Sequence, residues 1–278
     1  MQECMTEMGF PPISRESLPL SSDLILTYIS YLHLTGKAPS TITTYVAAIG
    51  FVHKFNSLSD PTNLYIVQRS LATINKRFGR PDSRLPITRI ILHQLIDSLD
   101  NTSKVTYHQT LIKAMYATAF YGLFRIGEIT IQKSGDISLH RSDISILPDR
   151  LIIKITKFKT NITNQPFDIV IHKQEGSHHC PYYLLINYLN LRGDAEGPLF
   201  CFPDNKPIPR TFFNTKLHHS LTFCGLNPKL YLSHSFRIGS ASYLASIGCN
   251  DLQIKIMGRW KSDSFLRYIR NQKFSIGG

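Results

Sequence analysis

The stretch GRWKSDSFLRYIR, residues 258–270, places one tyrosine among three arginines and a lysine. A phenol has a pKa of about 10, so it attacks phosphorus at neutral pH only where nearby cations and a base favour its ionised form. Such a nucleophile is one interpretation of Tyr268. The other is a core aromatic, because Ser262 can cap a helix on which Phe265, Tyr268 and Ile269 share one face. This stretch alone favours the core aromatic.

Two further segments pair an arginine with a residue three positions away. In HSFRIGSA, His234 and Arg237 begin a helix and share a face, so both can reach one anion. We expect Ser233 to cap this helix. In GLFRIGEI, Arg125 and Glu128 lie one helical turn apart in an apolar setting, where an unpaired guanidinium would be costly. The ordinary alternatives are a satisfied histidine at a helix start and a local ion pair.

A lysine-rich hairpin, KITKFKTNITNQ, lies between these two segments. Lys157 and Lys159 flank Phe158 at the end of a predicted strand. Strand alternation sends both lysines to the same side, where they could reach a groove or an active site. Most runs of lysine are solvated faces, and that interpretation also stays open.

The net charge indicates a polyanionic partner. The chain holds 31 Lys and Arg against 19 Asp and Glu, a formal charge of +12 with an isoelectric point near 9.5. Residues 85–278 carry most of the excess, with 23 basic and 13 acidic side chains. Nucleic acid is the commonest polyanion for such a protein. A basic protein without a nucleic-acid partner is the alternative.

Composition also bears on compartment and cofactors. No apolar run approaches the roughly 20 residues that cross a bilayer, and the first residues lack the features of a secretory signal. We expect an intracellular protein, nuclear in a eukaryotic host and otherwise cytoplasmic. The SHHC run, residues 177–180, has no second ligand pair at a suitable spacing, so we expect no metal and no cofactor. The five cysteines are widely spaced and are expected to be buried thiols: Cys4, Cys180, Cys201, Cys224 and Cys249.

The elements that must position these residues fall into two parts. Residues 1–80 show short amphipathic helices, and the polar segment 81–86 breaks the pattern as an interdomain linker would. Residues 87–278 are again mostly helical. Between 137 and 172, isoleucine, threonine and turn residues alternate as in a small antiparallel sheet. We therefore predict a mainly α protein with one small antiparallel sheet, α+β in class.

Arginine, strand lysine, His-x-x-Arg and C-terminal tyrosine occur here in the order found in tyrosine recombinases. The chain resembles this phage-integrase family over nearly its whole length. GLFRIGEI is similar to the first-arginine box, HSFRIGSA to the His-x-x-Arg box, and GRWKSDSFLRYIR to the tyrosine box. LSHSFRIGSASYLASIG and IMGRWKSDSFLRYIR look closest to recombinases of eukaryotic mobile elements, such as DIRS-like retrotransposons and Cryptons.

The resemblance implies a helical core-binding domain at 1–80 and a catalytic domain at 87–278. It also implies DNA cleavage and rejoining without a metal, through a 3′-phosphotyrosine bond to Tyr268. Arg125 and Arg237 would bind the non-bridging oxygens, where negative charge concentrates in the transition state. His234 would act as acid and base.

Three further roles follow from the resemblance. A hairpin lysine would protonate the departing 5′ oxygen; Lys159, close to the turn, is the first choice and Lys157 the alternative. Glu128 would orient an arginine or a helix. The penultimate box is the motif just before the tyrosine, here MGRW at residues 257–260. At its penultimate position, after the glycine, many family members have histidine and some have tryptophan. Counting back nine positions from Tyr268 gives Arg259, but the chemistry of the tryptophan variant favours Trp260.

Double-stranded DNA is the expected partner, with a homodimer on one site and a tetramer at synapsis. Four basic residues of the first part are expected to touch phosphates without sequence preference: Lys54, Arg69, Lys76 and Arg77. Two other functions stay open. One is a domesticated DNA-binding protein without catalysis, and the other is DNA relaxation of the type IB topoisomerase kind.

Overall fold

The computed structural model describes residues 18–79, 83–100, 106–131, 137, 139–158, 161 and 164–269. The chain folds into two compact units, and the division between them falls between Ser83 and Arg84. That division lies inside the segment 81–86 whose sequence indicates a linker. No helix among the described residues is long and apolar enough to cross a membrane.

Within its described residues, the first unit is a bundle of three α-helices: α1 (Ser22–Leu34), α2 (Pro39–Phe55) and α3 (Tyr65–Phe78). The side chain of Ser21 caps α1 by accepting a hydrogen bond from the Leu24 amide, and α2 begins at a proline, whose missing N–H is not needed at that position. One apolar face of each helix packs inward. The fully buried core includes Ile25, Ile42 and Val67.

The second unit holds seven helices and one sheet within its described residues. The helices are α4 (Arg89–Asp97), α5 (Tyr107–Tyr121), α6 (Ile126–Ile129), α7 (Pro181–Arg192), α8 (Arg210–Phe223), α9 (Ser235–Ser246) and α10 (Asp251–Met257). A short 3₁₀ helix, Asp263–Tyr268, follows α10. Ten residues of α5 are buried, so this helix forms the centre of the core. Its start is fixed by a capping box in which Thr106 and Gln109 bond each other's backbone amides.

The sheet has three antiparallel strands in the order β1 (Ile144–Ile146), β2 (Arg150–Ile155) and β3 (Phe167–His172). Leu151, Ile153 and Ile155 alternate inward along β2, whereas Lys154 faces solvent. Ile153 pairs with Ile144 on one side and Ile169 on the other. Because side chains alternate across a pleated strand, this isoleucine spacing buries one face only. The predicted mainly helical fold with a small antiparallel sheet is confirmed.

A close backbone contact fixes the position of α9. A Cβ atom on Gly239 would lie 1.8 Å from the Ile87 carbonyl oxygen, and the Ile87 amide bonds the Ser235 carbonyl at the start of the same helix. We expect Gly239→Ala to lower the free energy of unfolding by about 3 kcal/mol, because the backbone must shift to admit the methyl group. Urea unfolding measures the change. Ser246→Ala, on the exposed end of α9, should change it by less than about 0.5 kcal/mol; equal effects would contradict the expectation.

Candidate active site

Three arginines and one carboxylate lie close together where α6, α9 and the segment after α10 converge. Arg125 is the N-cap of α6, Arg237 lies in the first turn of α9, and Arg259 follows the C-cap of α10. Glu128 lies in α6 and is only 5% exposed. The residues come from segments far apart in the chain, so the tertiary fold alone brings them together.

Glu128 bridges two of the guanidinium groups. Its Oε1 accepts from Arg125 NH1 at 2.9 Å, and its Oε2 accepts from Arg259 NH2 at 2.8 Å. The backbone amide of Arg125 also donates to Oε2, at 2.9 Å. This carboxylate therefore closes the N-terminus of α6 and fixes both arginines. A buried ion pair with several hydrogen bonds holds its geometry tightly, since each unpaired charge would be costly.

Arg259 lies below the surface of this cluster. Its side chain is 1% exposed and donates to the carbonyls of Gly122 and Leu123, at 3.4 Å and 3.2 Å. Its backbone adopts φ 55°, a left-handed conformation that non-glycine residues seldom take. Rings of Phe124 and Phe158 lie 5.1 Å and 5.6 Å from its guanidinium carbon. Burial lowers the pKa of Arg259, and the neighbouring carboxylate of Glu128 opposes that effect.

Arg237 is fully buried and covered by an indole ring. Its NH1 donates to the Leu123 carbonyl and its NH2 to the Gly258 carbonyl. The ring centre of Trp260 lies 4.0 Å from its guanidinium carbon. Within the described part of the chain, its Nε has no hydrogen-bond partner. Burial first, and then repulsion from Arg125 and Arg259, lower the pKa of Arg237.

Tyr268 ends the 3₁₀ helix and lies half-buried in an aromatic group. Its ring centre is 5.4 Å from that of Trp260 and 5.1 Å from that of His234. The Ser242 hydroxyl donates to the Tyr268 carbonyl at 2.9 Å, which ties the segment to α9. Phe265 is buried beneath Trp260 and anchors the same 3₁₀ helix. The ring of Tyr268 therefore packs against other aromatic rings beside the arginine cluster, and its role as a nucleophile stays a prediction.

The two candidates for the penultimate position occupy different places. Trp260 lies between Arg237 and Tyr268, whereas Arg259 points inward to Glu128. The left-handed backbone at Arg259 turns consecutive side chains to these separate environments. The geometry agrees with the preference for Trp260 in this position, although its role stays a prediction.

The remaining predicted residues lie at varied distances from the cluster. Lys157 is exposed just after β2, and Lys159 lies outside the described residues. Phe158, between them, contacts the Arg259 guanidinium, so this end of β2 reaches the arginine cluster. His234, rather than Ser233, is the N-cap of α9, and its side chain makes no capping hydrogen bond. The His234 backbone is in the helical region, with φ −72° and ψ −19°, unlike the extended backbone of an ordinary N-cap.

The four basic residues predicted to touch phosphates all lie on the first unit. Lys54 forms an ion pair with Asp60 at 3.0 Å, and Arg69 lies over the ring of Tyr65. Lys76 and Arg77 occupy the exposed last turn of α3, where positive charge complements the helix dipole.

Sequence reasoning missed two contacts of the site. The Arg259–Glu128 ion pair joins residues 131 positions apart, and the bond from Ser242 to the Tyr268 backbone spans 26. An arginine directly after the glycine that ends a helix was a visible signal for the first. No local pattern marks Ser242 among the other small residues of α9.

The electrostatics of the cluster favour an anion. Glu128 forms ion pairs with Arg125 and Arg259, whereas Arg237 is bonded to backbone carbonyls. Three cations therefore lie close to a single carboxylate, which bonds two of them, in a largely buried setting. Because burial raises the cost of uncompensated charge, a bound phosphate would relieve the repulsion.

No protein-family model matches the chain. Two curated relatives do. An integrase/recombinase XerD homologue from Selenomonas ruminantium is 25% identical over 268 residues, which cover 91% of this chain and 74% of the relative. The recombinase Cre of Escherichia phage P1 is 23% identical in an alignment of 288 positions that covers 95% of this chain and 80% of Cre.

Solved structures share the fold at low sequence identity. The XerH site-specific recombinase bound to a palindromic difH substrate aligns with a TM-score of 0.61 and 14% identity, over 90% of this chain and 69% of that one. The Tn1549 transposon integrase in complex with circular intermediate DNA aligns with a TM-score of 0.62 and 12% identity, over 92% of this chain and 83% of the integrase chain. The lambda integrase dimer bound to a COC′ core site aligns with a TM-score of 0.60 and 13% identity, over 99% of this chain and 71% of the integrase chain. The chain is thus similar in sequence to these two curated recombinases and shares the fold of the solved recombinase and integrase structures.

Proposed function

We propose that this chain is a site-specific DNA recombinase or integrase that breaks and rejoins DNA through a 3′-phosphotyrosine intermediate. The observation that carries the proposal is the convergence of Arg125, His234, Arg237 and Trp260 on the neighbourhood of Tyr268. Together these residues would supply what phosphodiester cleavage without a metal requires: fixed positive charge, an acid/base group and a nucleophile.

The first step would join Tyr268 to phosphorus. His234, whose ring lies 5.1 Å from the tyrosine ring, would accept the phenolic proton as the oxygen attacks in line. Arg125 and Arg237 would hold the non-bridging oxygens and stabilise their charge in the transition state. The 5′ oxygen would leave with a proton from Lys159. The bond energy is kept in the phosphotyrosine, so a 5′ hydroxyl can reverse the step on another strand.

Arg237 must change partners for this chemistry. Both of its terminal nitrogens bond backbone carbonyls, and the Trp260 ring covers it. Entry of a phosphate between Trp260 and Arg237 would replace neutral acceptors with a charged one. The guanidinium is already charged in its bonds to the carbonyls, so the gain would come from the counter-charge that a phosphate brings to a buried cation. The indole N–H of Trp260 could then donate to the same phosphate.

DNA is the proposed partner, and the chain would act as a homodimer on one site and a tetramer when two sites meet. The positive charge and the DNA-bound dimer of the lambda integrase support this. The tyrosine box and the His-x-x-Arg box support an origin in a mobile element, close to DIRS-like or Crypton recombinases. In a eukaryotic host such an enzyme would act in the nucleus.

The decisive experiment traps the covalent intermediate. Nicked duplexes that include the sequences flanking the coding gene, within a random library, would be incubated with the chain in EDTA. We expect an SDS-resistant protein–DNA adduct that is enriched for one sequence. If no adduct forms, the non-catalytic DNA-binding alternative is supported. Rapid relaxation of plasmid without sequence preference would support the topoisomerase alternative.

The lysine assignment has its own test. Lys159→Ala should slow adduct formation at least about 10²-fold, the size of a general-acid contribution. A substrate with sulfur in place of the bridging 5′ oxygen should restore the rate, because a thiolate leaves without a proton. Lys157→Ala is the matched control and should keep most activity on both substrates. If the sulfur substrate rescues Lys157→Ala instead, Lys157 is the acid.

A further inference from the structure

A second cluster of chemistry-bearing side chains lies where the end of α4 meets the loop before α7. The Nε2 atom of His179 is 2.6 Å from the Asp97 Oδ1 atom, and the Nε2 atom of His178 is 3.7 Å from the same oxygen. One ligand atom from each of these three residues lies within 4.8 Å of the other two. Two imidazoles and a carboxylate are a donor set that zinc and similar ions prefer.

The separations suit a single ion. Ligand atoms at 2.0–2.1 Å from a tetrahedral Zn²⁺ lie about 3.3 Å apart. The distances of 2.6 Å and 3.7 Å lie on either side of that value and the two imidazole nitrogens lie within 4.8 Å, so small side-chain movements would bring all three ligand atoms to one ion. Asp97 and His178 are exposed, which leaves a route for the ion and an open position for water.

The surrounding structure fixes the most buried ligand. The His93 ring stacks on His179 with centres 4.0 Å apart and planes 7° apart. The His179 amide donates to the Ser177 hydroxyl, and the Cys180 amide donates to the Ser177 carbonyl. Cys180 is then the N-cap of α7. Contacts that orient a ligand histidine in advance are typical of metal sites, since they reduce the cost of ordering it.

We propose that Asp97, His178 and His179 bind one divalent transition-metal ion of the Zn²⁺ class, with a solvent molecule completing the coordination. The ion would tie the C-terminal end of α4 to the start of α7. None of the three residues belongs to the arginine cluster, so the site is independent of the proposed DNA cleavage. The SHHC run did not predict it, because the third ligand comes from a residue 82 positions before His179.

Zinc binding to the full, tag-free chain tests the proposal. Calorimetry should give one saturable Zn²⁺ site, and Co²⁺ in its place should show the visible absorption bands of a low-symmetry site. Zn²⁺ should also raise the melting temperature, since it binds the folded state. Asp97→Asn and His178→Asn should each weaken binding at least about tenfold, because loss of even a supporting residue costs that much. His178 is 79% exposed, so its replacement leaves the fold intact.

The chain supplies a matched control. His218 and His219 form a second adjacent pair, exposed on α8, and within the described residues they belong to no group of candidate ligands. His219→Asn should leave zinc binding unchanged. Absence of a saturable zinc site overturns the proposal. It is also overturned if Asp97→Asn and His178→Asn lose no more zinc affinity than His219→Asn. Either result would mean that Asp97 and His179 form a hydrogen bond and not a metal site. Tyr268→Phe should bind zinc normally, so failure here would not bear on the recombinase proposal.

Discussion

Tyr268→Phe is expected to abolish the covalent protein–DNA adduct while leaving the fold intact. The change removes only the hydroxyl oxygen that the proposed mechanism joins to phosphorus. The ring contacts with Trp260 and His234 remain, and Ser242 bonds the backbone carbonyl rather than the hydroxyl. Loss of a nucleophile lowers the rate by on the order of 10⁴-fold or more. The measurement is the yield of SDS-resistant adduct on the nicked substrate selected by the unmodified chain.

Tyr243→Phe provides the control for this change. Tyr243 is a half-buried tyrosine of α9 whose hydroxyl accepts a hydrogen bond from Arg89 at 3.2 Å, away from the arginine cluster. Its variant should form the adduct at nearly the normal rate. Both variants should melt and bind DNA like the unmodified chain. An adduct that persists in Tyr268→Phe would remove Tyr268 from the mechanism.

Glu128→Gln is expected to destabilise the second unit and to stop DNA cleavage together. The carboxylate holds Arg125 and Arg259, and Arg259 is 1% exposed. A neutral amide leaves both guanidiniums without a counter-charge in a buried site. Breaking a buried ion pair in this way costs about 3–5 kcal/mol. Urea unfolding followed by circular dichroism measures the loss, and the adduct assay measures the effect on Arg125.

The surface ion pair of Lys173 and Glu175 serves as the comparison for Glu128→Gln. Its atoms are 3.8 Å apart and the Glu175 side chain is 88% exposed. Glu175→Gln should change the free energy of unfolding by less than about 1 kcal/mol, as surface ion pairs usually do. If Glu128→Gln costs no more than this control, Glu128 does not organise the arginine cluster. Loss of cleavage with unchanged stability would assign Glu128 to the chemistry alone.

The fold class could be predicted because its signals are local. Isoleucine alternation along β2 depends on the pleat of a single strand, and the helices carry their own caps and apolar faces. The individual site residues were visible for the same reason. Arg125 with Glu128, and His234 with Arg237, are each separated by one helical turn.

The contacts between these segments could not be predicted from spacing. Arg237 bonds carbonyls of Leu123 and Gly258, which only the packed fold brings to it. Residue counting gives Arg259 for the penultimate position, whereas the chemistry of the tryptophan variant gives Trp260, and spacing does not show where either side chain lies. The left-handed backbone at Arg259 places that side chain against Glu128 and the Trp260 ring against Tyr268.

Trp260 is the one tryptophan of the chain. Its ring lies 4.0 Å from the Arg237 guanidinium and 5.4 Å from the Tyr268 ring. All indole fluorescence of the protein therefore originates at the arginine cluster, from a fluorophore whose emission is sensitive to the charge and hydration around it. The protein carries an intrinsic optical probe at its proposed reaction centre, and occupancy of that centre can be followed in real time without a label.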